Sequence, residues 1–148
     1  MSTLKSKRKP APASGILQFK IILNDSTPLV WRRILVPANY TFFALHCAVQ
    51  NAMGWSDGHL QAFYIGEKKG RERITIEFPN PEADDFYRRD TRDERQELVA
   101  DYFGKTIKQC VYCYDFGDSW DHTILLEREL PRDPKTSYPQ CLAGANAC

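Results

Sequence analysis

Leucine, aromatic and β-branched residues dominate Ile16-Leu17-Gln18-Phe19-Lys20-Ile21-Ile22-Leu23 and Val30-Trp31-Arg32-Arg33-Ile34-Leu35-Val36, with the turn formers Asn24-Asp25-Ser26-Thr27-Pro28 between them. Two such runs joined by a turn cluster predict a β-hairpin. Pro37 ends the second run, and from Thr41 the apolar positions change period: Phe42, Leu45, Val49, Ala52 and Met53 recur every three to four residues until Gly54. That spacing predicts an amphipathic helix stopped by a glycine. Strand-like runs follow at His59–Ile65 and Arg73–Phe78, separated by a turn over 66–70 and closed by Pro79 and Pro81. Residues Glu82–Glu97 carry seven acidic and four basic side chains, which reads as a solvated loop leading into a short helix around Arg92–Tyr102. Two further strands, about Lys108–Tyr114 and Trp120–Glu127, flank the turn Asp115-Phe116-Gly117-Asp118-Ser119. The order ββ, α, ββ, short α, ββ predicts an α+β fold: a mostly antiparallel mixed sheet built from hairpins, with the main helix packed on one face.

Composition adds one refinement. The 148 residues carry a net charge of only +1, which excludes a globally basic nucleic-acid binder. Lys5, Lys7, Arg8 and Lys9 place +4 in the first ten residues, leaving sixteen basic against nineteen acidic side chains, or −3, elsewhere. Residues 1–15 are rich in Lys, Pro, Ala and Ser and are expected to form a disordered basic tail, whose four charges are the candidate phosphate contacts; residues 16–148 form a single domain. The start of the chain lacks the apolar core of a signal peptide, and no run reaches membrane-span length, so a cytoplasmic protein without membrane partners is expected. Five cysteines with no export signal favour thiols or metal ligands over a disulfide framework.

Candidate chemistry is sparse. No dinucleotide fingerprint, phosphate-binding loop, nucleophile elbow or zinc-protease helix motif occurs. Cys110-Val111-Tyr112-Cys113 has zinc-knuckle spacing, and Cys141 and Cys148 would complete four thiolates, but in a strand side chains three apart point to opposite faces. The three histidines are placed near the apolar interior: His46 beside the helix stripe, His59 after the Gly54-Trp55-Ser56-Asp57-Gly58 turn, and His122 on a strand face with Trp120, Ile124 and Leu126. Each is read as a core or edge residue, or as part of a polar or metal pocket if Asp115, Asp118 or Asp121 lies nearby. Arg32 and Arg33 beside Trp31 alternate between faces and form no basic stripe.

The blocks Pro28-Leu29-Val30-Trp31-Arg32-Arg33-Ile34, Val36-Pro37, Thr41-Phe42 through Leu45-His46, Ala52-Met53-Gly54-Trp55 with His59-Leu60 and Phe63, and Tyr112-Cys113-Tyr114-Asp115-Phe116-Gly117-Asp118-Ser119-Trp120-Asp121-His122 resemble the plasmid pRiA4b ORF-3-like family. The terminal Tyr138-Pro139-Gln140-Cys141-Leu142-Ala143-Gly144 before Ala147-Cys148 extends the likeness from about Ile16 to Cys148. The resemblance implies a protein found on plasmids and beside transposable elements, some members being described as transposon passenger or resolvase-like. A recombinase's nucleophile needs an arginine cluster around its phosphate, which these strands do not supply. His46, His59, Asp115, Asp118, Trp120 and His122 fall inside the signature blocks and form the candidate pocket. Family members continue beyond the final Ala-Cys with a Pro-Pro-Glu-Asp run and a helical segment, so this chain is expected to lack that last element. Two readings follow. The first is a non-enzymatic, mobile-element-associated module contacting an unknown protein or nucleic acid, with no cofactor. The second is a metal-binding protein or metal-dependent hydrolase holding zinc through His59, His122, Asp118 and Cys141.

Overall fold

The computed structural model describes residues 15–56, 58–66, 73–79 and 90–146; the basic tail with Lys5, Lys7, Arg8 and Lys9, and Cys148, lie outside the described residues. In chain order the elements are β1 (Ile16–Leu23), β2 (Val30–Pro37), α1 (Phe42–Met53), β3 (Gln61–Ile65), β4 (Ile74–Glu77), β5 (Asp90–Asp93), β6 (Gln109–Tyr114), β7 (Trp120–Leu130) and β8 (Gln140–Ala145). The strands make one sheet ordered β5-β4-β3-β6-β7-β1-β2-β8, antiparallel throughout except for the parallel pair β4 and β5. The α+β class and the mostly antiparallel mixed sheet agree with the sequence pattern.

Register follows hydrophobicity. Phe19, Ile21 and Leu23 of β1 lie opposite Ile34, Arg32 and Val30 of β2 and opposite Leu126, Ile124 and His122 of β7. A one-residue slip would turn Phe19 and Ile21, both fully buried, to the other face. Onto this face α1 packs Phe42, Leu45, Val49 and Met53. Thr41 caps the helix by accepting the Ala44 N–H at 3.1 Å. Gly54, at φ +80°, ends it in the left-handed conformation that costs a glycine little. Arg32 then donates to the Ala52 carbonyl at 3.0 Å, placing its guanidinium at the negative end of the helix dipole.

The expected short helix over Arg92–Tyr102 does not form. Asp90–Asp93 is instead β5, and helical geometry is confined to one 3-10 turn at Val99–Asp101. Residues two apart share a side of an extended strand, and Arg92 accordingly forks onto Asp90 at 2.9 and 2.8 Å. The helix-like spacing of Val99, Tyr102 and Phe103 has a different origin. All three plug the core, Phe103 edge-on to Phe19 at 4.8 Å and Tyr102 edge-on to Phe42 at 5.5 Å.

Strand β8 has no counterpart in the sequence reading, since its Gln-Cys-Leu-Ala-Gly-Ala stretch is largely exposed and carries no alternation. It pairs with β2 from Leu35↔Gln140 to Trp31↔Ala145. Gly144 makes this approach possible: a Cβ there would stand 2.6 Å from Arg32 Cδ and 2.8 Å from the Trp31 carbonyl oxygen. On the face away from α1, Trp31 stacks with Lys20 and Arg33, and Arg33 pairs with Glu127 at 2.7 and 2.9 Å. The two arginines of Trp31-Arg32-Arg33 therefore serve the helix end and a surface carboxylate.

Candidate functional site

The loops that carry the signature blocks meet at one end of the sheet. Because β1 ends opposite the start of β7, the β1–β2 turn (24–29) and the β6–β7 turn (115–119) lie at the same end, tied by the Asn24 N–H donating to the Asp121 carbonyl at 2.9 Å. The loop leaving α1 reaches the same place. Gly58 N–H donates to the Tyr114 hydroxyl at 2.8 Å, and Asp115 N–H donates to the Leu60 carbonyl at 2.9 Å. Loops held by a rigid sheet are where binding residues concentrate.

Beneath the loops lies a buried polar cluster. Tyr112 is fully buried, and its hydroxyl is 2.6 Å from His46 Nδ1 and 2.9 Å from Gln50 Nε2. An amide nitrogen only donates, so the Tyr112 hydroxyl accepts from Gln50, and the direction of its bond to His46 follows the imidazole tautomer. His122, also fully buried, faces the Tyr112 carbonyl with Nδ1 at 3.2 Å and receives the Trp55 indole N–H on Nε2 at 3.4 Å. These partners fix a neutral imidazole with its hydrogen on Nδ1. Burial lowers the pKa of His122, against the opposing pull of the Tyr112 and Trp120 carbonyls and of Asp121. Protons then bind the unfolded chain better than the folded one, so this contribution to stability is complete above the ordinary imidazole value of 6.5 and is lost as the pH falls below it. Denaturant titrations between pH 8 and 5 should show that decline, with a smaller one in His122→Gln. At lower pH Glu127 adds a second loss. Hydrogen bonds from Arg33, then Gln18, hold its carboxylate at about 2 against an ordinary 4.5, so its stabilising part disappears across that interval.

Above the cluster an aromatic row runs His59, Tyr114, Trp55, Trp120, with successive ring centroids 5.7, 5.5 and 5.7 Å apart. Beside it lies an open cleft of about 500 Å³ lined by Gly58, His59, Leu60, Asp115, Phe116 and Gly117. Of its lining, Leu60 is 67% and Phe116 42% exposed, and Trp120, at the other end of the aromatic row, is 40% exposed. His59 Nε2 stands 3.6 Å from Asp115 Oδ2, beyond hydrogen-bond reach. The β6–β7 turn takes its left-handed positions at Asp115 (φ 64°) and Ser119 (φ 55°), while Gly117 is not among the positive-φ residues. A non-glycine in this region costs roughly 1 kcal/mol. Asp115 is suited to it, and its Oδ1 lies 3.4 Å from the Asp118 N–H.

The six sequence-selected pocket residues thus divide. His46 and His122 share the buried cluster with Tyr112, whereas His59 and Asp115 line the cleft, Asp118 projects from its turn, and Trp120 joins the two levels through Trp55. The ligand set His59, His122, Asp118 and Cys141 is not assembled. Cys141 on β8 is three strand spacings from His122 on β7, roughly 14 Å at about 4.8 Å per step. Among the described residues no three His, Cys, Asp or Glu side chains gather as a cation site. Cys110 faces the core with Tyr112 and Tyr114, while Cys113 lies on the other face opposite Asp121. Burial pushes both thiols up, Cys113 to about 12. Trp55, Tyr112 and Tyr114 were missed as site residues, although all three stand inside the quoted blocks; their chemistry is packing, which residue type alone does not flag. No helix among the described residues is long and apolar enough to cross a membrane.

Comparison with known proteins places this arrangement. A crystal structure of a protein of unknown function, MM3350, from Methanosarcina mazei Go1 superposes with a TM-score of 0.78 at 36% identity, over 90% of this chain and 70% of that one. An uncharacterized protein, y4hQ, of Sinorhizobium fredii is 31% identical over 135 residues, which is 91% of this chain; the chain spans 64% of that relative's length. The family model described as plasmid pRiA4b ORF-3-like protein matches residues 15–148, and the chain belongs to that family.

Proposed function

We propose that the domain is a non-catalytic, mobile-element-associated interaction module that docks a protein segment on the loop end of its sheet. The observation carrying this reading is the exposure of Leu60 and Phe116 in one open cleft, with Trp120 exposed just after the same turn, at a place where hydrogen bonds tie the loops together. Grouped large apolar side chains on a surface mark interaction sites. Two features support a binding role over acid–base catalysis. His46 and His122 are engaged in the core, and the His59–Asp115 pair is too long to relay a proton as it stands. The plasmid gene in the family's description supports the mobile-element setting. Protein is favoured over nucleic acid because the loops 24–29, 54–60 and 115–119 contain aspartates but no lysine or arginine.

The test is selection of short peptides from a displayed library on the intact protein, followed by measurement against Phe116→Ser/Trp120→Ser. Phe116 is exposed and Trp120 packs in part on Trp55, so the double variant should keep its fold by circular dichroism with some loss of stability, and lose at least tenfold in affinity for the selected peptides, the loss of an aromatic anchor being worth more than about 1.4 kcal/mol. Undiminished binding to the variant would overturn the reading.

A further inference from the structure

We infer that the cleft takes an arginine side chain of its partner, the guanidinium lying on the exposed aromatic rim and pairing with Asp115 and Asp118. This rests on the docking reading above and names the chemistry of its occupant.

The rim and the charge point the same way. Phe116, which lies in the turn that bears both carboxylates and lines the cleft, and Trp120, which follows that turn, are each about two-fifths exposed. An aromatic face attracts a cation through its quadrupole, and a planar guanidinium can stack on a ring while its edge donates two parallel hydrogen bonds to a carboxylate. Asp115 is placed for that edge. It lines the cleft, its side chain is 17% exposed, and Oδ2 has His59 Nε2 only at 3.6 Å. Partial burial matters because a carboxylate shielded from water holds a cation more strongly than one on the open surface. Asp118, exposed in the same turn, adds a second negative charge to the approach.

Among the described residues no lysine or arginine pairs with Asp115 or Asp118, and the His59 imidazole stands 3.6 Å from Asp115. Loops 24–29, 54–60 and 115–119 hold no lysine or arginine, Arg95 at the same end of the sheet is held by Asp93 and lies over Phe78, and Arg32 of the adjoining strand turns inward, donating to the carbonyls of Trp31, Ala52 and Ala145. Elsewhere among the described residues three arginines have carboxylate partners. Arg33 pairs with Glu127, Arg92 with Asp90 and Arg95 with Asp93. The cleft is thus a place where a carboxylate and an open ring occur together with no lysine or arginine of the described residues on them. Its volume, about 500 Å³, leaves room for a long side chain together with neighbouring residues of a segment lying across it.

Calorimetric titration of the intact protein with a short Gly/Ser peptide carrying two arginines, and with peptides carrying lysine, citrulline or glutamate in their place, tests the proposal. Citrulline keeps the planar shape and removes the charge. The arginine peptide should bind at least tenfold tighter than the citrulline one, lysine should fall between them, and glutamate should not bind. Asp115→Asn/Asp118→Asn should reduce the arginine peptide to the citrulline level, and asparagine tolerates the left-handed backbone at 115, so the turn survives. Equal affinity for arginine and citrulline, or binding unaffected by the double substitution, overturns the arginine assignment. If library-selected peptides still lose affinity to the Phe116/Trp120 variant, the docking reading stands without it; if they do not, both fall.

Discussion

Tyr112→Phe should lower the unfolding free energy by about 2–4 kcal/mol, although only one oxygen is removed. The hydroxyl lies at the centre of the buried cluster, where His46 Nδ1 and Gln50 Nε2 both meet it. A buried polar group deprived of its partner costs about 1–3 kcal/mol, and two groups lose the same partner here, whereas the ring itself remains packed between Phe63 at 4.8 Å and His122 at 5.3 Å. Urea denaturation with an unchanged m-value is the measurement. A shift below about 0.5 kcal/mol would mean that the cluster is not a supporting element.

Trp55→Ala is the second large effect, and it is expected to reach both stability and docking. The indole rests between Tyr114 and Trp120 and stands edge-on to His122 at 6.3 Å. Deleting a buried aromatic costs about 3–5 kcal/mol; Trp55 is half-buried, so about 2–3 kcal/mol is expected. Two further changes follow from the same contact. His122 loses the donor on Nε2 and gains access to water, so its pKa, read from imidazole proton shifts, should rise toward the ordinary value. Trp120 loses the ring that backs it, so affinity for docked peptides should fall together with stability. A variant that lost stability while His122 titrated as before would contradict the assignment of Trp55 as the cover of that imidazole.

Much of the architecture was legible in the sequence because periodicity is a local signal. The β1–β2 hairpin, the α1 boundary at Gly54 and the separation of Cys110 from Cys113 onto two faces all follow from spacing alone. The failures have physical causes. The stretch read as a short helix is the edge strand β5, charged because it is an edge, followed by a 3-10 turn from which Val99, Tyr102 and Phe103 enter the core. Strand β8 carries no pattern because both of its faces are open, and only the shape of Gly144 against Arg32 records the pairing. For the site, the right segments were visible but the roles were not. Histidines in a signature block invite a ligand reading, whereas here two of them are held by Tyr112 and Trp55, and the exposed chemistry passes to Phe116, Trp120 and Asp115. Which side of a strand faces water depends on what packs over it, and that is tertiary information.

The central claim, that the signature loops build a docking surface over a rigid buried cluster, is tested most directly by backbone amide shifts of the intact protein as a library-selected peptide is added. The account requires the changes to centre on residues 58–60 and 115–120 and on the indole signals of Trp55 and Trp120, with the His46 and His122 imidazoles undisturbed. Changes centred instead on the exposed edge strand Gln140–Ala145, or around Trp31 on the opposite face, would contradict it.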